Sequence, residues 1–221
     1  LKNLFLVDGA SGTGKSDLLR WVIDNNADDV RYLQKGTTRG QRPQEQNDTG
    51  ILLDLEFLSK AEFKAKQYDY TYRYGGAEYG FSRKDINAAL LQSDNVFIIV
   101  RNNETIRRIC DDYSFVNTVP MLIYTDRAEL VERLRRAQAS DELISFRLQR
   151  SELALREYYA HPEHYREVLI NNSSRDVFHG IVDRLLEKYR HYPKIDPYLV
   201  AVMMSFNPAN KKLEDYYDAM E

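Results

Sequence analysis

One segment constrains this chain more than any other. Residues 9–16 read Gly-Ala-Ser-Gly-Thr-Gly-Lys-Ser, which satisfies the pattern G-x-x-x-x-G-K-[ST]. Glycines at Gly9, Gly12 and Gly14, with Ser11 and Thr13 between them, let successive backbone N–H groups turn inward around a phosphate. The Lys15 ammonium can then reach the β and γ phosphates of a triphosphate, and the Ser16 hydroxyl can ligate Mg²⁺. At average composition such a match arises by chance in roughly one chain of this length in a hundred. Its surroundings sharpen it. Residues 4–7 are apolar, as in a buried parallel strand, and Leu18, Leu19, Val22 and Ile23 recur with helical spacing. A helix opening onto such a loop adds its positive N-terminal end.

The rest of the chain continues this alternation. Apolar runs at 30–33, 96–100, 121–124 and 168–170 read as strands. Segments around 87–91, 126–136 and 141–159, and the stretch after 170 to about Lys188, read as helices. Alternating strands and helices predict an α/β fold, a parallel sheet covered on both faces. Residues 35–50 are polar and rich in Gly, Thr, Gln and Arg, and predict a loop. Tyr68, Tyr70, Tyr72 and Tyr74 alternate, which predicts a half-buried strand with one aromatic face; a stacking surface for a base or sugar is the sharper alternative.

A second constellation follows the first. Thr37-Thr38-Arg39-Gly40-Gln41-Arg42-Pro43-Gln44-Glu45 sets two arginines three apart, and two guanidinium forks in a short loop can converge on one phosphate. Beside a phosphate-binding loop, this suggests a second phosphate held in line for transfer.

These segments, with Glu78-Tyr79-Gly80, Glu132-Arg133-Leu134, Phe146-Arg147-Leu148 and Ile170-Asn171-Asn172, occur in the order seen in guanylate kinases. Residues 1–188 resemble that family. The resemblance implies a P-loop three-layer sandwich, with an acceptor-binding subdomain at about 35–83 and a lid at about 133–147. It implies ATP and Mg²⁺ as cofactors and a phosphorylated small molecule as acceptor. By the same resemblance Arg133, Arg136 and Arg147 are candidates to close over the transferring phosphoryl group, beside Lys15 and Arg39. Arg39, Arg42, Glu45 and Tyr79 would bind the acceptor, and Asn171 would sit near the adenine.

The departures from the family pattern fall on base reading. Lys35 stands where the family has a serine, Ile51 where it has a tyrosine, Tyr70 where it has a glutamate, and Phe81 where it has Ser or Thr. Ile99 and Arg101 take the place of two acidic residues at the end of a sheet strand. Guanine is read by a carboxylate accepting from its N1–H and amino group. The site is therefore expected to keep its phosphate-reading half and to lack GMP selectivity, with Arg101 adding positive charge for a more anionic ligand. A nucleotide-binding sensor or interaction module with little turnover is the alternative.

Past Lys188 the pattern changes. Pro193 and Pro197 mark residues 191–197 as a linker. Residues 198–206 then restart an apolar run, and 212–220 look helical. This tail resembles the opening strand and helix of TIR-like and nucleoside-deoxyribosyltransferase-like domains, and predicts a fused second domain from residue 198. Composition closes other routes. With 31 Lys+Arg against 34 Asp+Glu and no clustered basic run, nucleic acid is disfavoured as a partner. No apolar run approaches the roughly 18 residues of a membrane span. The single cysteine, Cys110, excludes an intrachain disulfide and fits a reducing, cytoplasmic compartment. The histidines His161, His164, His179 and His191 show no ligand spacing on a helix face and are expected to be structural or solvated.

Overall fold

The computed structural model describes residues 2–26, 28–41 and 54–190. Strand β1 (Asn3–Asp8) is buried along its whole length. It lies at the centre of a parallel sheet, between β7 (Asn95–Ile99) and β8 (Asn117–Tyr124). β2 (Val30–Tyr32) and β9 (Glu167–Ile170) form the edges, giving the order β2-β7-β1-β8-β9.

Alternation along β1 divides the core. Phe5 and Val7 face Leu18, Leu19 and Val22 of α1 (Lys15–Asn26) and Phe178 and Val182 of α7 (Arg175–Arg190). Leu4 and Leu6 face the opposite cluster, with Ile86 and Leu90 of α3 (Arg83–Gln92) and Ile106 and Ile109 of α4 (Asn103–Asp112). This is the period-two geometry of a strand covered on both faces. A third cluster joins Leu130 and Leu134 of α5 (Arg127–Arg136) to Ile144 and Leu148 of α6 (Asp141–Ala160).

A smaller sheet carries the segment between α1 and α3. Its strands are β3 (Lys35–Thr37), β4 (Leu55–Phe57), β5 (Tyr70–Tyr74) and β6 (Ala77–Phe81), in the order β4-β3-β6-β5. It occupies the place expected for the acceptor subdomain. Residues 35–37, read as loop from their polarity, are instead a fully buried strand. Strand β3 is three residues long, too short to display a period, and its hydrogen bonds come from β4 and β6. Helix α2 (Lys60–Ala65) is started by a capping box, in which the Ser59 amide donates to Glu62 Oε2 (2.8 Å) and the Glu62 amide donates to Ser59 Oγ (3.3 Å). Strand β5 is the half-buried aromatic strand: Tyr70 and Tyr72 are buried, while Thr71 and Arg73 are exposed.

The expected linker at 191–197 and second domain from 198 lie outside the described residues, as do Arg42, Glu45 and Ile51. Among the described residues, no helix is long and apolar enough to cross a membrane.

Candidate active site

The loop after β1 emerges at the carboxyl end of the parallel sheet, where open α/β sheets place their ligands. Gly14 has φ +103°, and a Cβ there would stand 2.4 Å from Asn171 Nδ2, so only glycine fits. The Asn171 side-chain amide is itself engaged, its Nδ2 donating to the Thr13 carbonyl (2.8 Å) and tying the loop to the end of β9. Thr13 Oγ1 in turn donates to the Ala10 carbonyl (3.0 Å). Lys15 is buried and folds back over the loop, its Nζ donating to the Gly9 carbonyl (2.7 Å) and to the Ala10 carbonyl. Burial first, and then the Arg101 charge, push the Lys15 ammonium well below the ordinary lysine pKa.

The loop forms one wall of a cavity of about 370 Å³. Ser11, Gly12, Gly14, Lys15 and Ser16 line it on the sheet side. Lys35, Arg39, Asp54, Tyr72 and Tyr79 line it from the small sheet, with Ile99 and Arg101 at the end of β7 and Arg147 from α6. The predicted residues Lys15, Ser16, Arg39, Tyr79, Arg101 and Arg147 thus converge on one space. Arg101 Nη2 donates to the Gly9 carbonyl (3.0 Å), and its guanidinium lies over the Tyr74 ring at 4.5 Å. The Arg39 guanidinium lies over Phe57 at 5.0 Å.

Arg136 is placed elsewhere. It lines a second cavity of about 360 Å³, with Gly12, Glu129, Arg133, Asn171 and Arg175, and pairs with Glu132 (3.2 Å). Arg133 and Arg136 share one helical face with Glu129. Packing of Leu130 and Leu134 against α6 turns that face away from the first cavity. Arg133 Nη2 donates to the Asn171 carbonyl (2.8 Å), and its Nε donates to Glu129 (2.8 Å). Tyr70 does not line the acceptor cavity either. Its hydroxyl donates to Asp112 Oδ2 (2.8 Å), beneath the small sheet.

Two features of the site were not legible beforehand. The first is the ion pair of Lys35 Nζ with Asp54 Oδ2 (2.7 Å), both side chains nearly buried. It is assembled by the β3–β4 pairing, in which the Lys35 amide also donates to the Asp54 carbonyl (3.0 Å). Burial pushes the Asp54 carboxyl up, but the charge and hydrogen bond of Lys35 outweigh this and hold it below its usual range. At Lys35 burial prevails and lowers the ammonium pKa. The second is the Tyr72 hydroxyl, buried and, among the described residues, without a hydrogen-bond partner. Separately, His161 and His164, expected to be structural or solvated, and Glu163 bring ligand atoms within 4.8 Å of one another on the turn after α6. They line neither cavity.

For Mg²⁺ the cavity offers, among the described residues, the Ser16 hydroxyl but no uncommitted carboxylate. Asp54 is paired with Lys35, and Asp17 is held by Arg175 (2.6 Å) and His179 (3.0 Å). This fits an ion that takes most of its ligands from phosphates and water.

A phosphate-cradling loop at the carboxyl end of a β2-β7-β1-β8-β9 parallel sheet, facing a cationic subdomain, defines a P-loop α/β protein of the phosphate-binding class. No family model matches the chain. Curated relatives do match. It is 30% identical over 167 residues to a guanylate kinase of Idiomarina loihiensis, covering 72% of this chain and 76% of that one. It is 31% identical over 186 residues to one of Colwellia psychrerythraea, covering 77% and 78%. The crystal structure of guanylate kinase from Anaplasma phagocytophilum shares the fold, with a TM-score of 0.58 at 16% identity over 87% of this chain and 88% of that one. The chain belongs to the guanylate kinase family.

Proposed function

We propose that this protein is an ATP- and Mg²⁺-dependent phosphotransferase whose acceptor is a small phosphorylated molecule, and that GMP is not its preferred acceptor. The observation that carries this reading is a single cavity walled on one side by the Lys15 loop and on the other by Arg39, with Arg147 and Arg101 between. Donor and acceptor phosphates held there would lie next to each other, and in phosphoryl transfer positioning and charge are most of the catalysis. An oxygen of the acceptor phosphate forms a bond to the γ-phosphorus of ATP. The bond from that phosphorus to the β–γ bridging oxygen breaks, and ADP leaves with the electron pair. The attacking oxygen is already ionised at neutral pH, so no protein base is required.

Lys15 would leave its loop carbonyls to neutralise the β and γ phosphates, and Arg39 would hold the acceptor phosphate. Arg147 would balance charge on the transferring group. Mg²⁺ supplies further charge neutralisation when bound, and Ser16 would hold it. The nucleoside end of ATP would extend towards the second cavity. There Asn171 would act through the loop it supports, and Arg133 and Arg136 would flank the nucleotide rather than the acceptor.

Against GMP selectivity stand Ile99 and Arg101 at the end of β7 and the engagement of Tyr70 with Asp112. A site lacking the partners of a polar edge forfeits most of its discrimination for it. A coupled ADP-release assay across GMP, AMP, CMP, UMP and TMP tests the reading. Turnover is expected with intact protein and not with Lys15→Ala. A GMP rate far above the other four would contradict the acceptor assignment. Binding of ATP without turnover of any phosphorylated acceptor would support the sensor reading instead.

A further inference from the structure

We infer that the acceptor carries a second anionic group, a phosphate or a carboxylate apart from the phosphate that is phosphorylated, and that Lys35, Arg101 and the Tyr72 hydroxyl receive it on the floor of the acceptor cavity. This rests on the kinase reading for the identity of the cavity, and three observations carry it.

The first is charge. Among the described residues, Lys15, Lys35, Arg39, Arg101 and Arg147 line the cavity against two carboxylates, Asp17 and Asp54. Asp17 is committed to Arg175 and His179, and Asp54 to Lys35. Lys15, Arg39 and Arg147 suffice for the transferring and receiving phosphates, which leaves the Arg101 charge beyond that need, while Lys35, its charge balanced by Asp54, keeps N–H donors beyond the one it gives that carboxylate. The two are close enough that the Arg101 charge helps to depress the Lys35 pKa. Arg101 spends one N–H on the Gly9 carbonyl, out of the five a guanidinium offers.

The second is the orphaned hydroxyl. Tyr72 is 6% exposed and lines the cavity, yet among the described residues its Oη has no hydrogen-bond partner. Its ring is stacked on Tyr79 at 5.2 Å and 12°, which holds the hydroxyl in place. Burial pushes its pKa up, and Arg101 and Asp54, which line the same cavity, both act on it electrostatically. A buried polar group left unpaired is destabilising and calls for an explanation; a ligand oxygen completing it is one.

The third is the sign of the hydrogen-bonding groups. Lysine and arginine donate only, and a tyrosine hydroxyl donates as well as accepts. Guanine's N1–H and amino group would meet donors here. An anionic oxygen accepts from all three, and charge-assisted bonds of this kind are the strong ones.

The test is calorimetric titration of the intact chain holding Mg²⁺ and a non-hydrolysable ATP analogue. Its probes are three matched pairs: fructose 6-phosphate and fructose 1,6-bisphosphate, glucose 6-phosphate and 6-phosphogluconate, AMP and adenosine 3′,5′-bisphosphate. The added anion is expected to tighten binding at least tenfold in one pair or more. Tyr72→Phe and Arg101→Met are each expected to remove most of that gain. Tyr72→Phe deletes only an unbonded hydroxyl, so its thermal stability should equal or exceed the parent's, which keeps the test valid if the charge variant folds poorly. The inference is overturned if no pair shows a gain, if the gain survives both variants, or if GMP binds more tightly than every doubly anionic probe. Turnover is not read in this titration. A gain without catalysis would sink the kinase reading alone, and catalysis on singly phosphorylated acceptors without a gain would sink this inference alone.

Discussion

Replacing Gly14 by alanine tests the mechanical link between the phosphate loop and β9. Gly14 sits at φ +103°, where a Cβ costs about 1–2 kcal/mol. The new Cβ would lie 2.4 Å from Asn171 Nδ2 and 3.3 Å from Phe178 Cε1. Asn171 must give way, and its bond to the Thr13 carbonyl goes with it. Thr13 is 1% exposed, so its carbonyl loses a partner that water cannot readily replace. An orphaned buried group adds about 1–3 kcal/mol. The total for Gly14→Ala is about 2–5 kcal/mol, and for Asn171→Ala, which loses the same bond, about 1–3 kcal/mol. Because both changes remove one interaction, the double variant should fall short of the sum by that shared term, about 1–3 kcal/mol. Urea unfolding of the four proteins, read at constant m, measures this directly. Additivity within about 0.5 kcal/mol would show that the two residues are not coupled and that the strut does no work.

Other outcomes follow from the same geometry. Lys15→Ala should abolish binding of an ATP analogue in a thermal-shift assay while leaving a cooperative unfolding transition; retained affinity would refute the loop's assignment. Arg39→Ala should weaken acceptor binding at least tenfold, the equivalent of about 1.5–3 kcal/mol for a charged hydrogen bond, with ATP affinity nearly unchanged; equal loss of both ligands would indicate a folding role. Lys15 and Lys35 are depressed in the free protein, so a bound polyanion raises their pKa values; calorimetry in two buffers of different ionisation enthalpy at alkaline pH should detect proton uptake, and none would contradict the electrostatics. Asp54 has a folded pKa below its unfolded value, so its contribution to stability is complete above about pH 4 and is lost as pH falls through the folded value; Asp54→Asn should therefore flatten the acid limb of a stability–pH curve, and an unchanged slope would count against the Lys35 pairing.

What could be read from the chain alone was whatever depends on neighbours in sequence. The loop at 9–16 is legible because its glycines, lysine and serine act through local backbone geometry, and the apolar runs of β1, β7 and β8 announce a sheet buried on both faces. The half-buried tyrosine strand is equally local, a matter of period two. Groups meeting across the fold could not be read this way. Lys35 and Asp54 stand far apart in the chain and become an ion pair only through the β3–β4 register. Asn171 reaches Thr13 because β8 and β9 pair, with its own amide donating to the Tyr124 carbonyl at 2.8 Å. Arg133, Arg136 and Arg147 are all candidates, by the family resemblance, to close over a phosphate. Which of them faces the cavity depends on the rotation of its helix, set by how Leu130, Leu134, Ile144 and Leu148 interlock, and a linear pattern does not carry that angle.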